Sequence, residues 1–117
     1  MAERHPTHDL SDARAAWDRR GEIQFVDVRE PYEWEAGRIE GATHIPLNAL
    51  LSGAGEEELD PGRPVVAYCT VGQRSEVAKL MLQARGYDAY NMADGLRAWV
   101  AEGYPLTTPD GAPGRIA

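Results

Sequence analysis

The sequence predicts an α/β domain with a mainly parallel central sheet and helices on both faces. Two observations carry this. Short runs rich in valine, isoleucine and tyrosine, at 23–28, 65–68 and 87–92, alternate along the chain with segments whose apolar residues recur at helical spacing. Strands separated by helices pair in parallel and need cover above and below. The second observation is size: 117 residues, 43% of them hydrophobic, suit one compact domain whose core needs neither disulfide nor metal.

In chain order, residues 1–9 place His5 and His8 around Pro6 and Thr7 and read as a polar N-terminal segment with at most a short edge strand. Ser11 is the expected N-cap of a first helix that ends near Gly21 and turns Ala13, Ala16 and Trp17 inward. Residues 23–28 form the next strand, closing on Asp27-Val28-Arg29. The carboxyl end of a strand in an open α/β sheet is where ligands and catalytic loops collect. Asp27 is read there as a cap or turn acceptor for the Glu30-Pro31 segment, and Arg29 as a partner for Glu33. Pro31 opens a short helix to about Ala36, Gly37 stops it, and Trp34 is assigned to the core. A short strand at 41–46 holds His44 in a structural role, and Leu47, Leu50 and Leu51 mark a brief helix. Residues 52–63, with Glu56, Glu57 and Glu58 in a row, form a solvated surface loop or a weak helical turn.

Residues 65–75 hold the chemistry. An apolar strand introduced by Pro64 ends at Cys69, the only cysteine, and from Glu76 onward Val77, Ala78, Leu80, Met81 and Leu82 recur at helical spacing. The chain must therefore turn sharply between Thr70 and Arg74, with Gly72 supplying positive φ. Such a turn aims successive backbone N–H groups into a cup, to which the following helix adds its positive dipole end. A thiolate is an anion, so Cys69 should have a lowered pKa and act as nucleophile. Thr70, Val71, Gly72, Gln73 and Ser75 form the expected binding loop, and Arg74 puts a cation and a fork of donors at its rim. Beyond it come a helix at about 75–85 closed by Gly86, a strand at 87–92, an Asp94-Gly95 turn, and a last helix with Leu96, Trp99 and Val100 on its apolar face. Pro105, Pro109 and Pro113 exclude regular structure near the C-terminus. The domain is expected over 10–106 with an extended or mobile tail at 107–117.

Composition removes several function classes. A net charge of −7 opposes nonspecific nucleic-acid binding, and no apolar run is long enough to span a bilayer. The amino terminus lacks a signal-peptide core, and a lone free thiol fits a reducing compartment, so the expected location is the cytoplasm. His5, His8 and His44 lack the cysteine or carboxylate company of a metal site.

The stretch Cys-Thr-Val-Gly-Gln-Arg-Ser at 69–75 resembles the active-site loop of single-domain rhodaneses. Two further segments are similar to that family: Asp27-Val28-Arg29-Glu30-Pro31 continuing through Glu33, Gly37, Ile39, Gly41, Ala42, Ile45 and Pro46, and Gly95 with Trp99. The resemblance implies a sulfurtransferase without a cofactor. Cys69 would take a sulfane sulfur from a small anionic donor such as thiosulfate, with Arg74 on the donor's oxyanion, and hand it to cyanide or a thiol. Asp27 and Arg29 would support the site from behind. Two positions depart from the family's pattern: Arg38 stands where histidine is frequent, and Thr70 where many relatives have arginine. The second departure opens the way to a protein thiol or persulfide partner. A cysteine phosphatase is the rival reaction, but its loop has five residues between cysteine and arginine and here only Thr70, Val71, Gly72 and Gln73 intervene. A sulfur-carrier or protein-binding module without turnover is the other alternative.

Overall fold

The computed structural model describes residues 9–117, so the N-terminal segment with His5 and His8 lies outside the described residues. Strands and helices alternate as α1 (Ala13–Asp18), β1 (Gln24–Asp27), α2 (Pro31–Ala36), β2 (Thr43–His44), α3 (Leu47–Leu51), β3 (Val65–Tyr68), α4 (Gln73–Ala84), β4 (Ala89–Asn91) and α5 (Gly95–Ala101). A 3-10 turn at Glu56–Glu58 interrupts the acidic loop. The four described strands pair only in parallel, in the order β2-β1-β3-β4, so β3 is an inner strand with β1 and β4 beside it.

Alternation along the strands builds two cores. Phe25 on β1 and Val66 and Tyr68 on β3 face Ala13 and Ala16 of α1 and Leu96 and Trp99 of α5. Val26 on β1 and Val65 and Ala67 on β3 face Leu50 of α3 and Ala78 and Leu82 of α4. Cys69 continues the second set, because side chains two apart along a strand share a face. The period of two thus points the cysteine at α4. Trp99 anchors the other core, edge-on to Phe25 and Trp17 at 5.6 Å each, while Trp17 also stacks on Tyr104.

Several local expectations need correction. The N-cap of α1 is Asp12, whose carboxylate accepts from the Ala15 N–H at 2.7 Å; Ser11 instead donates to Asp9. Val100 faces solvent, so the apolar face of α5 is narrower than its sequence suggests. On α4 the buried stripe is Ser75, Ala78 and Leu82, and Val77 and Leu80 are exposed. Trp34 stays outside both cores: it stacks on His44 at 4.7 Å, with the Arg38 guanidinium over its ring, 4.1 Å from the ring centre. His44 is structural, its Nε2 lying 2.8 Å from the Arg29 carbonyl.

The last residues form no helix or strand, yet they fold back on the domain. Thr107 pairs with Arg38 in both directions, at 2.8 and 3.0 Å, and Arg115 N–H reaches the Ala36 carbonyl at 2.9 Å. Gly37 permits this approach. Its backbone is extended, but a Cβ there would stand 2.4 Å from the Arg115 carbonyl oxygen.

Candidate active site

Cys69 follows β3 directly, and the chain then turns so tightly that α4 begins at Gln73, two residues earlier than its apolar spacing indicates. Gly72 takes φ 102° to make the turn. Its N–H consequently points back at the sulfur, 3.1 Å from Cys69 Sγ, and the Ser75 hydroxyl lies 3.3 Å from Sγ on the first turn of α4. The turn is braced from behind by the start of α5, where Leu96 N–H donates to the Cys69 carbonyl and Arg97 N–H to the Thr70 carbonyl, at 2.9 and 3.2 Å. Gly95 lets α5 come this close, since a Cβ would stand 2.4 Å from Thr70 O.

Cys69 is only 1% exposed. Burial pushes its pKa up. Hydrogen bonds from the Ser75 hydroxyl and from the N–H groups of Ser75, Gly72 and Val71 push the other way and prevail, so the thiol titrates below the ordinary cysteine value. The donors that favour its anion are thus built into the same wall that buries it.

Arg74 does not stand free at the rim. Its two terminal nitrogens bind the Glu33 carboxylate at 2.8 and 3.0 Å in a two-pronged pair. This is the contact that sequence reasoning missed, and it corrects the pairing expected of Arg29. Hydrogen bonds from Arg74 hold Glu33 well below the usual carboxylate range, at about 2. Glu33 also accepts from Glu30 N–H at 2.9 Å, closing the N-terminus of α2, and from the Thr70 hydroxyl at 3.3 Å. An arginine in the first turn of a helix opposes the dipole, and that was a readable sign that a carboxylate must face it. Which carboxylate it would be depended on folding.

Arg29 pairs with Asp27. Both side chains are fully buried, with Arg29 Nη2 2.7 Å from Asp27 Oδ2 and Nε 3.0 Å from Oδ1. Asp27 also accepts from Arg29 N–H at 2.9 Å, the turn role expected of it, and Arg29 reaches across to the Gly37 carbonyl at 2.6 Å. The pair thus ties the end of β1 to the end of α2 and so fixes the helix that carries Glu33. Of the remaining loop residues, Thr70 is half-buried against Glu33, Val71 is exposed at the lip, and Gln73 begins α4 with its side chain in solvent. Asn91 was not anticipated. From β4 it accepts the Ser75 hydroxyl at 2.6 Å and donates to the Gly72 carbonyl and Glu76 at 3.0 Å each. No cluster of three or more metal-ligating side chains occurs among the described residues, and no described helix is long and apolar enough to cross a membrane.

Known proteins share the fold and much of the sequence. A rhodanese-like domain family model matches residues 10–102. The chain is 35% identical over 89 residues to MoeZ of Mycobacterium tuberculosis, a probable adenylyltransferase/sulfurtransferase; the match covers 75% of this chain and 23% of that relative, so the chain spans about a quarter of its length. It is 34% identical over 91 residues to a sulfurtransferase of Allochromatium vinosum, covering 77% of this chain and 83% of the relative. In three dimensions a rhodanese-related protein from Thermoplasma volcanium matches with a TM-score of 0.76 at 27% identity, over 82% of this chain and 94% of that one. Since the family match takes in the sheet, the helices of both faces and the cysteine turn together, the chain belongs to the rhodanese-like domain family.

Proposed function

We propose that this chain is a sulfurtransferase that carries sulfur as a persulfide on Cys69. The thiolate attacks the outer, sulfane sulfur of a donor such as thiosulfate. A new S–S bond forms, the donor's own S–S bond breaks, and sulfite leaves with the electron pair. Cyanide or a thiol then attacks the outer sulfur of the persulfide, which releases thiocyanate or a new persulfide and restores the Cys69 thiolate. Two displacements through one covalent intermediate give ping-pong kinetics.

The observation that carries this reading is the cradle itself, with Gly72 N–H at 3.1 Å and the Ser75 hydroxyl at 3.3 Å from one sulfur at the start of α4. These groups favour the anionic form of the nucleophile, and the loop N–H groups beside them suit the persulfide charge once it has moved outward. Arg74 contributes by its charge, its two terminal nitrogens being taken by Glu33. A free nucleophilic thiol fits a reducing compartment such as the cytoplasm.

The pairing of Arg74 also favours a second reading, in which a protein-borne persulfide or thiol is the partner and thiosulfate a poor donor. Intact mass spectrometry after incubation with thiosulfate tests the first. The expected result is a gain of one sulfur atom, located on Cys69 and removed by cyanide. No gain from thiosulfate, with loading from a persulfide donor, supports the carrier reading; no gain from either sinks both.

A further inference from the structure

We infer that Asn91 is a positioning residue for the nucleophile: it competes with the Cys69 sulfur for the single hydroxyl proton of Ser75, and thereby sets where the thiol titrates. The inference rests on the sulfurtransferase reading in taking Cys69 as the working nucleophile. Its basis is a count of protons against acceptors. Ser75 Oγ lies 2.6 Å from Asn91 Oδ1 and 3.3 Å from Cys69 Sγ. A hydroxyl has one proton to give, so it cannot donate to both.

The Asn91 amide cannot turn away from this competition. Its Nδ2 donates to the Gly72 carbonyl and to Glu76 Oε1, each at 3.0 Å, and a flipped amide would face both acceptors with its oxygen. Oδ1 is therefore held toward Ser75. While the sulfur is protonated, Ser75 donates to Asn91 and its lone pair receives the S–H. When the sulfur ionises, its proton leaves for solvent and the Ser75 O–H rotates toward Sγ without breaking. Asn91 Oδ1 then loses its donor, a cost that falls on the thiolate alone. After persulfide formation the negative charge sits on the outer sulfur, the inner sulfur is neutral, and the hydroxyl returns to Asn91. The Ser75 proton thus follows the charge on Sγ, with Asn91 as its resting acceptor.

Other charges around the sulfur stay constant through this change. Arg74 of α4 and Glu33 of α2 form a closed pair, as do Asp27 and Arg29 at the end of β1, and Glu76 is tied to Lys79 and Asn91. Asp94 and Arg97 flank the turn through their backbone at the start of α5. Glu33 titrates at about 2 and Glu76 below its ordinary value, far from the range of a thiol.

The test is the rate of Cys69 alkylation by iodoacetamide against pH, in the full chain and in Asn91→Ala, Ser75→Ala and the double variant. Ser75→Ala should raise the thiol pKa. Asn91→Ala should lower it by about half to one pH unit, the difference between a neutral and a charge-assisted hydrogen bond. In the Ser75→Ala background the same Asn91 substitution should have no effect. An upward shift, or an equal shift in both backgrounds, overturns the inference. Should Asn91→Ala fail to fold, the Asn91 side-chain NH2 resonances of the unsubstituted chain serve instead. They should move with the Cys69 titration and stay still in Ser75→Ala; resonances that ignore the titration in the unsubstituted chain refute the coupling. Sulfur loading measured on unalkylated portions of the same proteins separates the two ideas, because a chain that titrates as described but never gains sulfur condemns the sulfurtransferase reading alone.

Discussion

Replacing Glu33 with glutamine removes a charge while keeping nearly the same shape, which isolates what the Arg74 pair contributes. The carboxylate's pKa falls from 4.5 to about 2 in the folded chain. At about 1.4 kcal/mol per pH unit that corresponds to roughly 3 kcal/mol. Arg74 is 36% exposed, so solvent screening reduces the figure to about 2 kcal/mol. Because the folded pKa is the lower one, this stability is fully present above the unfolded value of 4.5 and disappears as pH falls through about 2. Urea unfolding of both proteins at pH 7, 5, 4 and 3 should show a gap of about 2 kcal/mol at neutral pH that shrinks by more than half at pH 3. A gap independent of pH would refute the assignment of that energy to the carboxylate charge. The same substitution releases Arg74, so sulfur loading from thiosulfate should become faster and more sensitive to salt.

Arg74→Ala leaves the Glu33 carboxylate buried without its partner, and should lower stability by about 2 kcal/mol at pH 7 but far less at pH 3, with a raised KM for thiosulfate; an unchanged KM would remove Arg74 from donor binding. Cys69→Ser should abolish sulfur loading in intact mass spectra while changing the unfolding free energy by only about 1 kcal/mol, and retained loading would remove Cys69 from the mechanism. Gly95→Ala drives a Cβ to 2.4 Å from Thr70 O and keeps φ near 61°, so urea unfolding should report a loss of about 3 kcal/mol or more; a loss below about 1 kcal/mol would mean α5 does not brace the turn. Gly37→Ala displaces Arg115, and limited proteolysis should then cut within 107–117 faster than in the parent; equal cutting would show that this approach does not hold the tail.

Local signals were sufficient around the cysteine turn, where each residue's job is done by its neighbours in sequence. Pro64, the valine run, Gly72 and the apolar spacing after Glu76 all act within a few residues of one another, so strand, turn and helix could be read directly. The strand boundaries shifted inward, with the strand expected at 23–28 pairing over Gln24–Asp27 and the one at 87–92 over Ala89–Asn91. Strand ends are fixed by which neighbour they meet, and β4 meets only β3 among the described strands. What the sequence did not reveal are contacts between distant segments. Glu33 and Arg74 stand 41 residues apart, and Ser75 and Asn91 16. Nothing in either segment names the other. In the sequence Glu33 reads as a partner for the nearby Arg29, and Asn91 is one polar residue within a strand.

The sulfur cradle and the hydrophobic core are a single packing problem. Cys69 belongs to the same buried cluster as Val65, Ala67, Ala78 and Leu82, and Ser75 continues the inward stripe of α4 that Ala78 and Leu82 form. The helix that delivers the hydroxyl to the sulfur is therefore held in register by apolar contacts further along its length, while Asn91 of β4 and the first turn of α5 hold the turn from the other side. A buried nucleophile is expensive only when its anion is left without donors. Here the strand that buries Cys69 also places it where a glycine turn and a helix start supply them, so packing that would ordinarily silence a thiol is what brings its activating groups within hydrogen-bonding distance.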